Sequence, residues 1–184
     1  MILILNLCRE KLHYFEFVKP IEDILKSEKI SFITKNYKEI NQKFLDNCDK
    51  VIICGTSLKD NEFLENLDRF KWIKTFDKPL LGICGGMQVI GKIFGGRVRK
   101  EQEIGFFHEK FHKEFLGLSG SKEVYHLHNY YLDFNEMENF DSYSISDAEI
   151  TQAVKHQNKE IYGVLFHPEV RQKEMISNFC KVSS

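Results

Sequence analysis

Apolar positions in the first half of this chain alternate between two patterns. Met1–Leu7 is a short unbroken apolar run, the pattern of a strand buried on both faces. Ile21–Lys29 follows with helical spacing, just after Pro20, a residue suited to a first helical turn. Ser31–Thr34 predicts a second strand, Lys38–Leu45 a helix, and Lys50–Cys54 a third buried strand ending at Gly55. Phe63, Leu64, Leu67, Phe70 and Ile73 give helical spacing to Asn61–Trp72. Pro79–Ile83 then reads as another strand, and Gly86–Phe94 as a helix stopped by Gly95 and Gly96. Repeated strand-then-helix steps predict an α/β fold, a mostly parallel open sheet of flavodoxin-like kind with helices on both faces.

After Gly96 the texture changes. Val98–Phe115 and Val124–Phe134 are rich in aromatic and β-favouring residues, with turn signals at Gly117–Gly120 between them, and predict a small antiparallel section. Thr151–Lys155 and Glu160–Phe166 flank the polar His156-Gln157-Asn158-Lys159 segment as a hairpin would, and His167-Pro168-Glu169 follows directly on a strand end. Gln172–Cys180 predicts a terminal helix with Met175, Ile176 and Phe179 on its apolar side. No repeat or linker interrupts the pattern, so residues 1–184 are expected to form one domain.

Charge adds little to this picture. With 26 Lys+Arg against 27 Asp+Glu and no like-charge block, no nucleic-acid partner is expected. The apolar runs fall well short of the roughly 20 residues a membrane span needs, and no basic segment precedes the first of them, so neither a membrane partner nor a secretory signal is expected. Five scattered cysteines without paired spacing suit a reduced, cytoplasmic setting. His108 and His112, or His126 and His128, could each share a metal. No cysteine or carboxylate completes a recognisable ligand set, so neither a metal nor another cofactor is expected. Without a basic surplus, Phe106, Phe107, Phe111 and Phe115 read as core or interface rather than as a base-stacking platform.

The candidate chemistry lies at Gly82-Ile83-Cys84-Gly85-Gly86, where a cysteine stands between a buried strand and a helix. Such a junction must reverse sharply, and glycines two positions before and after the cysteine let neighbouring backbone pass closely, as in a nucleophile elbow. A sulfur there sits at the positive end of the following helix, which favours its anionic form. The Gly85 N–H is free to face a developing oxyanion. Cys84 on its own reads equally well as a small buried apolar residue. His167-Pro168-Glu169 shifts the balance, because thiolate acyl transfer needs an imidazole to shuttle protons and a carboxylate to orient it.

Gly-Ile-Cys-Gly-Gly-Met-Gln at 82–88, with Tyr-Gly-Val-Leu-Phe-His-Pro-Glu-Val at 162–170, resembles the class I glutamine amidotransferases over essentially the whole chain. Within that family, Ile161–Val170 and the ending Asn178-Phe179-Cys180-Lys181-Val182 look most like the separate glutaminase subunit of archaeal GMP synthase. The resemblance implies that Cys84 attacks the side-chain amide of L-glutamine, that His167 transfers protons and that Glu169 orients His167. It implies that Gly55 and Thr56 form the oxyanion turn beside Gly85, and that Gln88, His128, Asn129 and Tyr130 lie where glutamine is held. It also implies a partner, an ATP-dependent GMP synthase-like subunit that takes up the ammonia. A stand-alone γ-glutamyl hydrolase, or a non-catalytic regulatory relative, would carry much of the same pattern. Where the family usually has two glycines and a proline, this chain has Gly55-Thr56-Ser57. A β-branched residue resists positive φ, so strain in the turn, or a turn formed only on docking, is expected at Thr56.

Overall fold

A computed structural model of the protein describes residues 1–183. Its strands are β1 (Ile2–Asn6), β2 (Phe32–Asn36), β3 (Lys50–Ile53), β4 (Leu80–Ile83), β5 (Arg97–Phe115), β6 (Leu118–Asp133), β7 (Phe140–Ile145), β8 (Thr151–His156) and β9 (Ile161–Val164). The helices are α1 (Lys11–Phe17), α2 (Lys19–Ser27), α3 (Gln42–Asn47), α4 (Glu62–Glu65), α5 (Gly85–Ile93) and α6 (Lys173–Lys181). All nine strands join one sheet in the order β2-β1-β3-β4-β9-β8-β7-β5-β6. Pairing is parallel from β2 through to β9 and antiparallel from β9 outwards.

The expected sheet with helices on both faces is present, because the central strands are apolar at successive positions and need cover on each side. Ile4, Ile52, Leu81 and Ile83 pack with Phe17 of α1, Ile21 and Leu25 of α2, and Ile176 and Phe179 of α6. On the opposite face Leu5, Val51, Ile53 and Leu80 pack with Leu45 of α3, Phe63 of α4, and Met87 and Ile90 of α5.

The departures from the sequence reading have local causes. The expected helix over 38–45 is a 3-10 turn at Tyr37–Glu39 followed by α3, because Asn36 and Asn41 each accept a backbone N–H and start a separate short helix. The helix expected over 61–72 breaks at Asn66, whose Nδ2 donates to the Glu62 carbonyl at 2.9 Å, and continues as a 3-10 helix over Leu67–Lys74. Helix α1 shows no inward stripe to read, since only Phe17 is buried while Leu12 and Phe15 are exposed. Strand β7 is masked by small polar residues at inward positions, of which Ser144 is fully buried. The antiparallel section is also more extensive than a small one, because β5 and β6 form a long hairpin with register shifts between Lys100 and Glu103 and between Phe111 and Phe115.

Candidate active site

Strands β3, β4 and β9 are parallel neighbours, so the segments that leave their carboxyl ends emerge at one edge of the sheet. Gly55 and Thr56 follow β3, Cys84 follows β4, and His167 and Glu169 follow β9. The sheet order thus brings together residues far apart in sequence.

Cys84 occupies the elbow in a strained conformation, φ 47° and ψ −100°, that residues with a side chain rarely adopt. Its N–H donates to Val164 O at 2.7 Å, anchoring the turn to β9. The two flanking glycines meet the steric need the sequence suggested. A Cβ on Gly86 would lie 2.3 Å from Ile53 O, and one on Gly82 would lie 2.6 Å from the Gly86 carbonyl carbon. Gly85 then opens α5, with its N–H among the unpaired donors of a helix start.

The His167 imidazole is fully buried, and its Nδ1 lies 2.7 Å from Glu169 Oε1 in a carboxylate that is itself buried. The backbone N–H of His167 donates to Tyr125 O at 2.8 Å, and the ring packs against Phe17 at 5.3 Å between centroids. Desolvation alone pushes the imidazolium down. The Glu169 carboxylate and the neighbouring Cys84 sulfur outweigh it and hold the His167 pKa well above the ordinary range. With Nδ1 engaged by Glu169, Nε2 has no hydrogen-bond partner. The sulfur beside it lies 3.8 Å from Leu127 O.

Gly55 lies against both groups. A Cβ at this position would come within 2.6 Å of His167 Cε1 and 3.4 Å of Cys84 Cβ. The strain expected at Thr56 is not found, since neither Gly55 nor Thr56 has positive φ and the unusual backbone is at Cys84. Buried Thr56 donates its hydroxyl to Asp60 Oδ2 at 3.0 Å, and the same carboxylate oxygen accepts the Arg9 N–H at 2.6 Å.

Cys84, Gly85, Thr56, Gln88, His128, Asn129 and Tyr130 all line one cleft. Gln88 Nε2 donates to Tyr130 O at 2.9 Å, so α5 is tied to β6. His128 is turned inward, with Nε2 2.9 Å from buried Glu103, and Asn129 Oδ1 accepts from Gln102 Nε2 at 2.6 Å. The cleft leaves about 20 Å³ for the centre of a water-sized sphere, room for about one water. Asp60, Phe17 and Leu127 also shape the site but carried no sequence signal, because each acts through a neighbour that only the fold supplies.

A buried Cys, His and Glu at the carboxyl ends of parallel strands, with a glycine-lined elbow, define a candidate thiol acyl-transfer site on an open α/β sheet. The chain belongs to the class-I glutamine amidotransferase family, whose model matches residues 13–182. It is 37% identical to the glutamine-hydrolyzing GMP synthase subunit of Methanosphaera stadtmanae, over 60% of this chain and 63% of that protein. It is 31% identical to the like-named protein of Pyrococcus abyssi, over 89% and 80%. An imidazole glycerol phosphate synthase subunit of Campylobacter jejuni is 32% identical over 76% and 82%. The chain therefore spans less than two thirds of the Methanosphaera protein's length. Its fold matches a Thermoplasma acidophilum chain solved as a candidate GMP synthase subunit, with TM-score 0.82 and 23% identity over 98% of this chain and 94% of that one. No helix among the described residues is long and apolar enough to cross a membrane.

Proposed function

We propose that this chain hydrolyses L-glutamine to glutamate and ammonia, with residues 1–184 acting as one glutaminase domain. The observation that carries the reading is that Cys84 and His167 both lie against Gly55 at the same sheet edge, while Nδ1 of the imidazole is held by Glu169. The sulfur attacks the side-chain carbonyl carbon of glutamine. The C–N bond breaks as the imidazolium delivers a proton to the leaving nitrogen, releasing ammonia and leaving a γ-glutamyl thioester. Water activated by the now neutral imidazole then cleaves the C–S bond, giving glutamate and regenerating the thiolate and imidazolium. The N–H groups of Gly85 and Thr56 stabilise the oxyanion in both steps. Gln88, His128, Asn129 and Tyr130 form the wall that holds the substrate.

Cys84 is only 4% exposed at the base of this cleft, which supports a glutaminase whose β6 wall and Thr56 turn open on docking onto a separate synthase subunit, the acceptor of the ammonia. The names of the Methanosphaera and Pyrococcus relatives favour a GMP synthase as that partner, and the scattered, unpaired cysteines suit a cytoplasmic setting.

A glutaminase assay tests this, run on the isolated chain and on the chain mixed with candidate synthase subunits, with Cys84→Ala as the blank. Ammonia release that rises with the GMP synthase partner and disappears in Cys84→Ala is expected. Release undiminished in Cys84→Ala refutes the nucleophile. Release by the isolated chain that no synthase changes would point to a stand-alone γ-glutamyl hydrolase.

A further inference from the structure

Beside the candidate cleft, the hairpin of β5 and β6 buries two carboxylates and two imidazoles. Glu103 and Glu109 project from β5 and His126 and His128 from β6, all on the face turned towards the core. Glu103 Oε2 is the centre of the group. It lies 2.9 Å from His128 Nε2 and 3.7 Å from His126 Nδ1, and it accepts from Gln152 Nε2 at 2.8 Å. The His126 ring is walled by Phe107 and Phe166, at 5.1 and 6.3 Å between centroids. Among the described residues, neither carboxylate pairs with a lysine or arginine.

The hydrogen bonding around His126 is not satisfied by protein groups alone. If Nε2–H donates to Glu109 Oε1 at 3.2 Å, the Nδ1 lone pair points towards the Glu103 carboxylate, and that buried nitrogen has no partner. His128 Nδ1 and Gln152 Oε1 are buried without partners as well. Two electron-pair donors facing each other in an apolar enclosure repel unless a cation lies between them. Ligands about 2.0–2.1 Å from a tetrahedral zinc ion sit about 3.3–3.4 Å apart, close to the Nδ1 to Oε2 spacing seen here. One donor atom from each of Glu103, His126 and His128 lies within 4.8 Å of the others.

We propose that Glu103, His126 and His128 bind a divalent transition-metal ion of the zinc class. Two imidazole nitrogens and one carboxylate oxygen suit zinc and are unlike the all-oxygen sets of calcium or magnesium. Glu109 is the positioning residue: by accepting from His126 Nε2–H it fixes the tautomer that presents Nδ1 to the metal. A divalent ion also brings two carboxylates and two neutral imidazoles to zero net charge in a buried place. The site joins β5 to β6 and fixes His128, which lines the cleft. Histidines two apart on a strand gave no ligand set in the sequence because the carboxylate arrives from the other arm of the hairpin. The His108 and His112 pair is excluded by the same strand geometry, since residues four apart on an extended strand lie roughly 13 Å apart.

The test is metal stoichiometry, which is independent of any glutaminase activity. The full chain is incubated with zinc, desalted and measured by elemental analysis in a Cys84→Ala background, which removes the thiol nearest the cleft. About one zinc per chain is expected, falling at least tenfold in His126→Gln and Glu103→Gln and unchanged in His108→Gln. Cobalt loading should give the visible absorption of a low-coordinate site, lost in the same two variants. Circular dichroism separates loss of the site from loss of the fold; should either variant unfold, Glu109→Gln serves in its place, with weaker zinc retention expected. A folded parent chain that retains no zinc overturns the proposal. Equal zinc in the parent and the folded variants overturns it too.

Discussion

Gly55 is the residue on which the candidate site depends without supplying a reacting atom. A methyl group there would lie 2.6 Å from His167 Cε1, closer than the two can sit, so the ring must shift. Gly55→Ala should therefore leave the chain folded while displacing the imidazole, and a displacement near 1 Å costs about 10²-fold in rate. Steady-state glutaminase kinetics beside a thermal melt would check this. Glu169 acts through charge. Because His167 has a raised folded pKa, the pair contributes stability that is fully present below the ordinary imidazole value of about 6.5 and is lost as pH rises through the raised value. The urea midpoint of the parent chain should fall on the alkaline side of neutrality, and Glu169→Gln should flatten that fall. The same substitution should shift the His167 ring titration downwards by NMR and slow turnover by about 10²–10⁴-fold. Arginine in place of His167 would not substitute, since its guanidinium stays protonated near neutral pH.

Among the elements, α6 shows how helix docking holds the frame. Phe179 is fully buried, packs 6.0 Å from the Tyr162 ring, and joins α6 to the face that α2 also covers. Phe179→Ala should cost about 3–5 kcal/mol by urea denaturation, through lost burial and the cavity left behind. Folded material of that variant should keep its glutaminase rate, because α6 begins beyond Glu169 and supplies no group to the cleft. Element boundaries were legible where apolar spacing was strong, as in β3, β4 and α5. They were illegible where a single asparagine side chain restarted a helix or where serines faced inward, because side-chain hydrogen bonds of that kind leave no periodic trace. Helix α2 buries Glu22, which accepts from Tyr14 and Thr34 hydroxyls at 2.6 and 2.7 Å, another inward polar group that a hydropathy pattern cannot place.

For the whole molecule, what matters is how far Cys84 is shielded. Cys84 is 4% exposed and the space before it holds about one water, so alkylation of its sulfur by iodoacetamide should be slow in the isolated chain. Docking of the synthase partner should speed that labelling at least tenfold, read by mass spectrometry of the Cys84 peptide, if docking opens the wall formed by β6. Equal labelling rates with a stimulating partner bound would place the effect in the chemistry rather than in access.

The sequence by itself determined the parallel core and the elbow around Cys84, and marked Cys84, His167 and Glu169 as the candidate site residues. Close-packing glycines and unbroken apolar strands are requirements of the local chain. Only the tertiary structure decided that β9 lies beside β4, that Gly55 presses on His167, that the backbone strain falls on Cys84 rather than Thr56, and that Glu103 meets His126 and His128. Those facts depend on sheet order and on hairpin register, which bring together residues distant along the chain and leave no mark on the spacing of any one segment.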